Sequence, residues 1–320
     1  MRIEAPVASG CQACDGRKNL PFLADRDRQG VVPDKLFALV ECMDCGLIYL
    51  DPTPAQSEIA GFYPKSYWWA MDLGRVRDRV ILALRRLLWV DILGIVRAIK
   101  PDGGRVLDVG CGSGIFLHCA ARAGFHCQGV EQSQDAAACI RRQFALDVTA
   151  GGVESLDSDA RFDLVTMFHV LEHVADPAHT LQRLRGHIKD GGHLLLEVPN
   201  IASWGLRLFG KRWIGLDLPR HITHFSEATL KRLLGRTGYR VVSLRRFTWR
   251  NSPSMLAASA WPQALLEGKS QLRARPLMAY LRLTAQAVLY VLFIALALLE
   301  RACGNGEVLL VLAEPTQVRS

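Results

Sequence analysis

The 320-residue chain has no internal repeat, no low-complexity tract and no collagen-like or mucin-like composition. Repeat arrays and fibrous architectures are therefore excluded. Acids are in deficit, 31 against 39 Lys and Arg, for a net charge of +8. That excess favours anionic partners (phosphate groups, acidic lipid surfaces or nucleic acid) without choosing among them. The stretch from Met1 to Cys14 lacks the apolar core of a secretory leader, so a cytoplasmic location is expected. What remains is an ordinary globular composition, 50% hydrophobic and 22% charged. Disorder is excluded for most of the length, and the chain has room for roughly two domains of about 150 residues.

Nine cysteines, an odd number, also suit a reducing compartment. Five of them (Cys111, Cys119, Cys127, Cys139 and Cys303) lie among small or apolar residues and read as small buried hydrophobes. The other four form two pairs, Cys11-x-x-Cys14 and Cys42-x-x-Cys45. Two such pairs supply four thiolates to one tetrahedral zinc. Gly46 suits a tight knuckle after the second pair, Leu36–Glu41 reads as a strand leading into it, and a hairpin must fill the interval. Four protein ligands leave no open position, so the zinc is expected to be structural.

Organisation follows from breakers and periodicity. Residues 1–55 form the cysteine module, ending in Asp51-Pro52-Thr53-Pro54. Residues 56–100 carry an aromatic patch (Phe62, Tyr63, Tyr67, Trp68, Trp69). A helical pattern through Val80, Leu84, Leu87 and Leu88 follows it, rich in Arg. Residues 101–250 alternate β-like runs (105–109, 126–130, 162–168, 193–198, 239–247) with helical stretches, the pattern of a βαβ sheet. Residues 251–306 hold an apolar insertion, and 307–320 a last strand and tail.

The run from Val106 to Gly114 carries the most information. An apolar strand reaches Asp108, and then Gly110, Gly112 and Gly114 alternate with Cys111 and Ser113 before a helix. Glycines here allow backbone to approach a ligand at the carboxyl end of a strand. A phosphate-binding P-loop is excluded because no Gly-Lys-Ser/Thr follows. The next strand ends at Glu131, a carboxylate able to accept from two vicinal hydroxyls.

This D-x-G-x-G-x-G pattern, with an acid about 20 residues on, resembles class I S-adenosylmethionine-dependent methyltransferases. The resemblance covers about residues 100–250 plus the closing strand. It implies a seven-stranded Rossmann-like α/β sheet with helices on both faces, here with a small N-terminal zinc ribbon. It also implies S-adenosylmethionine as cofactor. Asp108, Gly110, Cys111, Gly112 and Gly114 would form the loop, Glu131 would hold the ribose, and Gln132, Val153 and Glu154 would face the adenine. Phe168 would stand at the end of the fourth strand of the core.

The stretch Phe168-His169-Val170-Leu171-Glu172-His173 resembles the corresponding segment of ubiquinone-biosynthesis-type small-molecule methyltransferases. Asp176-Pro177 then reads as a helix cap. A later loop, Trp213 to Phe225, is crowded with polar and aromatic residues and reads as a substrate lid. It resembles a W-x-x-x-D-x-P-R-H-x-x-H-F stretch of bacterial methyltransferases found with glycan or lipid assembly genes. Neutral histidine suits removal of a proton near pH 7. His173 and His221 are the leading candidates, with His169 and His224 behind them, and Arg220 is a candidate grip for an anionic acceptor.

Base amino-group methylation expects N/D-P-P-Y/F after the fourth strand, and base C5 methylation expects Pro-Cys; neither is present. The expected acceptor is thus a small molecule or a glycan or lipid precursor. A zinc-containing nucleic-acid-modifying or nucleic-acid-binding protein is the alternative. Leu283 to Leu299 is 17 residues without a charge. Because a strand follows it directly, 277–300 reads as a helix resting on the domain or on the inner membrane surface, a peripheral contact.

Overall fold

The structure, a computed structural model, describes residues 10–63, 76–261 and 276–316. Of the aromatic patch, Tyr67, Trp68 and Trp69 lie outside these residues.

A small antiparallel sheet comes first. It is built from β1 (Asn19–Arg26), β2 (Leu36–Cys42), β3 (Ile48–Leu50) and the two-residue β9 (Thr223–His224), in that order. The expected hairpin between the cysteine pairs is β1 and β2, with Asn19 opposite Cys42.

The large sheet comprises β4 (Arg105–Val109), β5 (His126–Glu131), β6 (Asp147–Ala150), β7 (Phe162–Phe168), β8 (Ile188–Pro199), β10 (Tyr239–Arg245) and β11 (Val308–Pro315). Its order is β10-β11-β8-β7-β4-β5-β6. The five strands from β8 to β6 are parallel, and β11 inserts antiparallel between β8 and β10. Strands covered on both faces need apolar residues at every position. Leu107, Val165, Leu194 and Leu196 meet that need and are fully buried. The strand order reverses between β4 and β7, and ligands bind open sheets of this kind at the carboxyl ends beside such a reversal.

Helices fill the crossovers. A short α1 (Gln56–Ile59) precedes α2 (Val76–Leu87) and α3 (Val90–Ile99), into which the helical pattern near residue 88 divides. Then come α4 (Ile115–Arg122), α5 (Gln134–Phe144) and α6 (Pro177–Arg185). Asp176 accepts from His179 N at 2.9 Å and Pro177 opens the helix, as the sequence suggests. After α7 (Trp204–Phe209), Ser226 caps α8 (Glu227–Arg236), which buries Leu230, Leu233 and Leu234. Last are α9 (Ser252–Ala260) and α10 (Pro276–Ala302).

Two expectations need correction. The segment from Trp213 to Phe225 is no free lid. Trp213, Leu216, Arg220, Ile222 and Thr223 are fully buried, and Thr223–His224 extends the small sheet by pairing with β3. Loop composition concealed this because the pairing partner lies far away in sequence. The five scattered cysteines are also not uniformly buried: Cys127 is half-buried and Cys303 exposed.

Candidate functional site

One cleft of about 1450 Å³ opens at the carboxyl ends of β4, β5 and β7. Asp108, Gly110, Cys111, Gly112, Glu131, Gln132, Val153, Glu154, Phe168, His173 and His221 all line it. Gly114 sits just behind, at the start of α4.

The β4–α4 turn takes its shape from glycine. Gly110, Gly112 and Gly114 have φ of +67°, +54° and +69°, a region that costs other residues strain. A Cβ on Gly110 would stand 2.5 Å from Val170 Cγ2, and one on Gly114 2.6 Å from Ile140 Cγ2. Glu131 braces the turn: one carboxylate oxygen accepts from Gly112 N and the other from Ser133 N, both at 2.9 Å. Each oxygen keeps a second lone pair for a ligand hydroxyl. Behind the turn, Asp108 is buried and accepts from Thr166 Oγ1 at 2.7 Å; burial pushes its carboxyl up to about 7. Val153 is buried, while Glu154 is solvent-exposed and accepts from Gly152 N. A bare backbone turn facing a braced carboxylate fits the ribose and amino-acid ends of S-adenosylmethionine.

The other half of the cleft presents His169, His173 and His221 in different states, with His224 buried beside His221. His169 has φ +57°, rare for a non-glycine. Its Nδ1–H donates to Glu172 Oε1 at 3.1 Å and its Nε2–H to Glu197 Oε1 at 2.9 Å. Burial pulls this imidazole down, but the two carboxylates outweigh burial and push it up to about 9. Glu197 also takes the Asn251 amide and lies 3.3 Å from Arg250. His169 is therefore an imidazolium with both protons engaged, unsuited to act as a base.

His173 is the opposite case. Burial and the neighbouring His221 pull it down to about 4, so it is neutral at pH 7. Its Nδ1–H donates to the Arg220 carbonyl at 2.9 Å, with Tyr63 Oη 3.0 Å away. Nε2 is left as the lone-pair nitrogen. His221 donates Nδ1–H to the Gly215 carbonyl at 2.8 Å, which leaves its Nε2 bare as well. The two rings are 4.6 Å apart. Beside them Glu172 is held ionised: His169 outweighs the burial that would raise it, and Oε2 has no partner. Glu172, His173 and His221 each offer one ligating atom, and those atoms lie within 4.8 Å of one another, a set suited to a divalent cation. His224 donates Nε2–H to the Leu216 carbonyl, and burial keeps it neutral.

Arg220 does not reach the cleft. It is 0% exposed, chelated by both oxygens of Asp217 at 2.7 and 3.0 Å, 2.9 Å from Asp27 and bonded to the Phe62 carbonyl. It ties the loop to the N-terminal module and is not available to grip an acceptor.

The four cysteines Cys11, Cys14, Cys42 and Cys45 converge, with Sγ atoms 3.4 Å apart for Cys11–Cys45 and 3.5 Å for Cys14–Cys42. Tetrahedral zinc–thiolate bonds of about 2.3 Å place sulfurs about 3.8 Å apart, close to this spacing. The two knuckles match: Asp15 and Gly46, each just after the second cysteine, have φ of +61° and +77°. Burial pushes the Cys11 thiol up, against the Ala13 backbone hydrogen bond that favours its thiolate. The module also reaches the cleft, because Gln29 lines it and donates to Asp217 at 3.3 Å.

Sequence reasoning missed Gln29, Trp89, Arg250 and Asn251, all on the cleft wall. They come from three distant segments and carry no local motif.

A protein-family model described as a methyltransferase domain matches residues 77–244. The ubiquinone biosynthesis O-methyltransferase of Xanthomonas axonopodis pv. citri is 30% identical over 182 residues, 54% of this chain and 74% of that protein. The enzyme of the same name from Bradyrhizobium diazoefficiens is 33% identical over 158 residues, 47% of this chain and 59% of that protein. The fold is similar to that of a Burkholderia thailandensis 1,6-didemethyltoxoflavin-N1-methyltransferase with bound 1,6-didemethyltoxoflavin and S-adenosylhomocysteine. That likeness has a TM-score of 0.50 at 15% identity, over 93% of this chain and 99% of that one.

Proposed function

The chain belongs to the methyltransferase-domain family as a class I S-adenosylmethionine-dependent enzyme, and on that premise we propose that it methylates a hydroxyl of a small, partly apolar acceptor. The observation carrying this reading is that a glycine-turn cradle and two bare imidazole nitrogens share one cleft. The name of the relatives, O-methyltransferase, supports an oxygen acceptor.

In this reading Glu131 accepts from the ribose hydroxyls, Gln132, Val153 and Glu154 border the adenine, and the Gly110–Gly114 turn lies along the amino-acid end. Asp108 and Cys111 back that turn, and Phe168 walls the region of the methyl group. S-Adenosylmethionine supplies an electrophilic methyl on a sulfonium. His173 Nε2 takes the hydroxyl proton while oxygen bonds the methyl carbon and the carbon–sulfur bond breaks, giving a methyl ether and S-adenosylhomocysteine. Glu172 Oε2, ionised and unpartnered, stabilises the imidazolium that forms, and His221 orients the acceptor. The same unpartnered oxygen favours a second reading, in which Glu172, His173 and His221 hold a divalent cation against the acceptor oxygen. At the far end of the module, Cys11, Cys14, Cys42 and Cys45 hold a structural zinc.

The test measures cofactor affinity by calorimetry and S-adenosylhomocysteine release with hydroxylated acceptors bearing or lacking an alkyl chain. Glu131→Ala should weaken cofactor binding by about 1.5–3 kcal/mol for each charge-assisted bond lost. His173→Ala should lower kcat about 10²–10⁴-fold with cofactor affinity kept. Wild-type turnover in His173→Ala would remove His173 from proton transfer, and loss of turnover under chelation mild enough to leave the four-cysteine zinc in place, restored by a divalent metal, would favour the cation reading.

A further inference from the structure

The helix α10 presents an apolar face that none of the described residues covers. Its inner side packs Phe293, Leu296 and Ala297 against Phe209, Phe247 and Leu256. Its outer side exposes Leu281, Thr284, Val288, Val291, Leu292, Ala295, Leu298 and Leu299, a stripe at helical spacing. The window Thr284–Ala302 is only 11% buried. Its length alone would suit a membrane span. However, the inner face is packed against the body of the protein, and β11 inserts between β10 and β8 of the large sheet a few residues after Ala302. The helix therefore lies along the surface.

Its surroundings extend the face. On one flank α7 exposes Leu208, with Arg207 and Lys211 beside it, next to the Phe209–Phe293 contact. On the other, Tyr290 donates to the Trp249 carbonyl and feels the charge of Asp91 at the start of α3. Val90, next to Asp91, is exposed, and Trp249 is 44% exposed. Gln286 donates to the carbonyl of Trp261, which is also partly exposed. Arg301 lies over Phe247 at the far end. An uncharged stripe bordered by tryptophan, tyrosine and cations is the composition of a helix lying in a bilayer interface.

We propose that this face docks flat on an anionic phospholipid bilayer. Charge selects that occupant over a second copy of the chain. A two-fold contact would set the cationic border against itself on a molecule already at +8, whereas acidic headgroups neutralise it. Docking also explains where the cleft opens. Trp89 and Arg250 line the cleft, with the guanidinium 3.7 Å over the indole, while their chain neighbours Val90 and Trp249 face outward. A bilayer against the outer residues lies at the cleft mouth, so an acceptor with an apolar tail enters from it. The last step rests on the proposed methyl transfer; the docking does not.

The experiment is co-sedimentation with vesicles of phosphatidylcholine containing 30% phosphatidylglycerol, and with phosphatidylcholine alone, alongside light scattering for mass. The expected result is binding to the anionic vesicles, weak binding to neutral ones, and a monomer in solution. Val291→Glu with Leu292→Glu should reduce vesicle binding at least about 10-fold, since charge is costly in the interface. Trp249→Ala, a milder change, should reduce it by a smaller factor. Cofactor affinity measured on the same variants separates lost docking from lost folding and leaves the methyltransferase reading standing whichever way the vesicles decide. No binding to anionic vesicles, equal binding by the double variant, or a dimer that the double variant dissolves would each overturn the proposal.

Discussion

His169 and His173, four residues apart, hold opposite protonation states at neutral pH, and their partners decide which. His169 lies between two buried carboxylates and is held charged; His173 faces a carbonyl and another imidazole and is held neutral. The sequence shows His-x-x-Glu-His and names both as candidates. It cannot show that Glu197, on β8, closes the trap on His169. Removing one member of a buried ion cluster leaves the rest uncompensated, at about 3–5 kcal/mol. His169→Gln should therefore lower stability to urea by about that amount. His173→Gln gives up a neutral hydrogen bond and should cost about 0.5–1.5 kcal/mol. Equal costs for the two would mean that His169 is uncharged in the fold.

Among the elements, those with their own periodicity were legible and those made by distant pairing were not. The five runs beginning at Arg105, His126, Phe162, His193 and Tyr239 correspond to β4, β5, β7, β8 and β10, because apolar stretches between breakers have few alternatives. The two residues of β9 carry no strand signal; the register of Ile48 opposite His224 makes them a strand. The supposed lid is thus a strut between the cysteine module and the cleft. Zinc loss should then be felt at the cleft as well as in the module. Chelation under reducing conditions, or Cys42→Ser, should loosen β1–β3, release Gln29 and the Asp27–Arg220 pair, and lower turnover while cofactor affinity holds. Hydrogen exchange over residues 19–50 and 213–226 would register both effects together. Protection lost in the first range alone would show that the strut stands without the module.

Across the whole molecule, buried ionisable groups set how stability varies with pH. Glu197 and Asp217 are each held near 2: burial opposes ionisation, and nearby Arg250 and Arg220 outweigh it. Their folded values lie below the unfolded range, so their contribution is complete above about pH 4 and is lost as pH falls toward 2. The alkaline side is governed by groups shifted the other way. Glu300, 0% exposed on α10, has no hydrogen-bond partner for either oxygen, and burial, helped by Glu307, pushes it up to about 8. Its folded value lies above the unfolded one, so its stability is full below about pH 4.5 and falls as pH rises through 8. His169 acts in the same sense between about 6.5 and 9. Stability should thus peak on the acid side of neutrality and fall by up to about 1.4 kcal/mol per pH unit for each such group. Glu300→Gln keeps the shape and removes the charge, so it should flatten the loss between pH 5 and 8 and leave the acid limb unchanged. Urea midpoints at pH 3, 5, 6.5 and 8 for both proteins provide the check. Parallel curves from pH 5 to 8 would mean that the carboxyl is already ionised in the fold, with a cation or solvent reaching the end of α10.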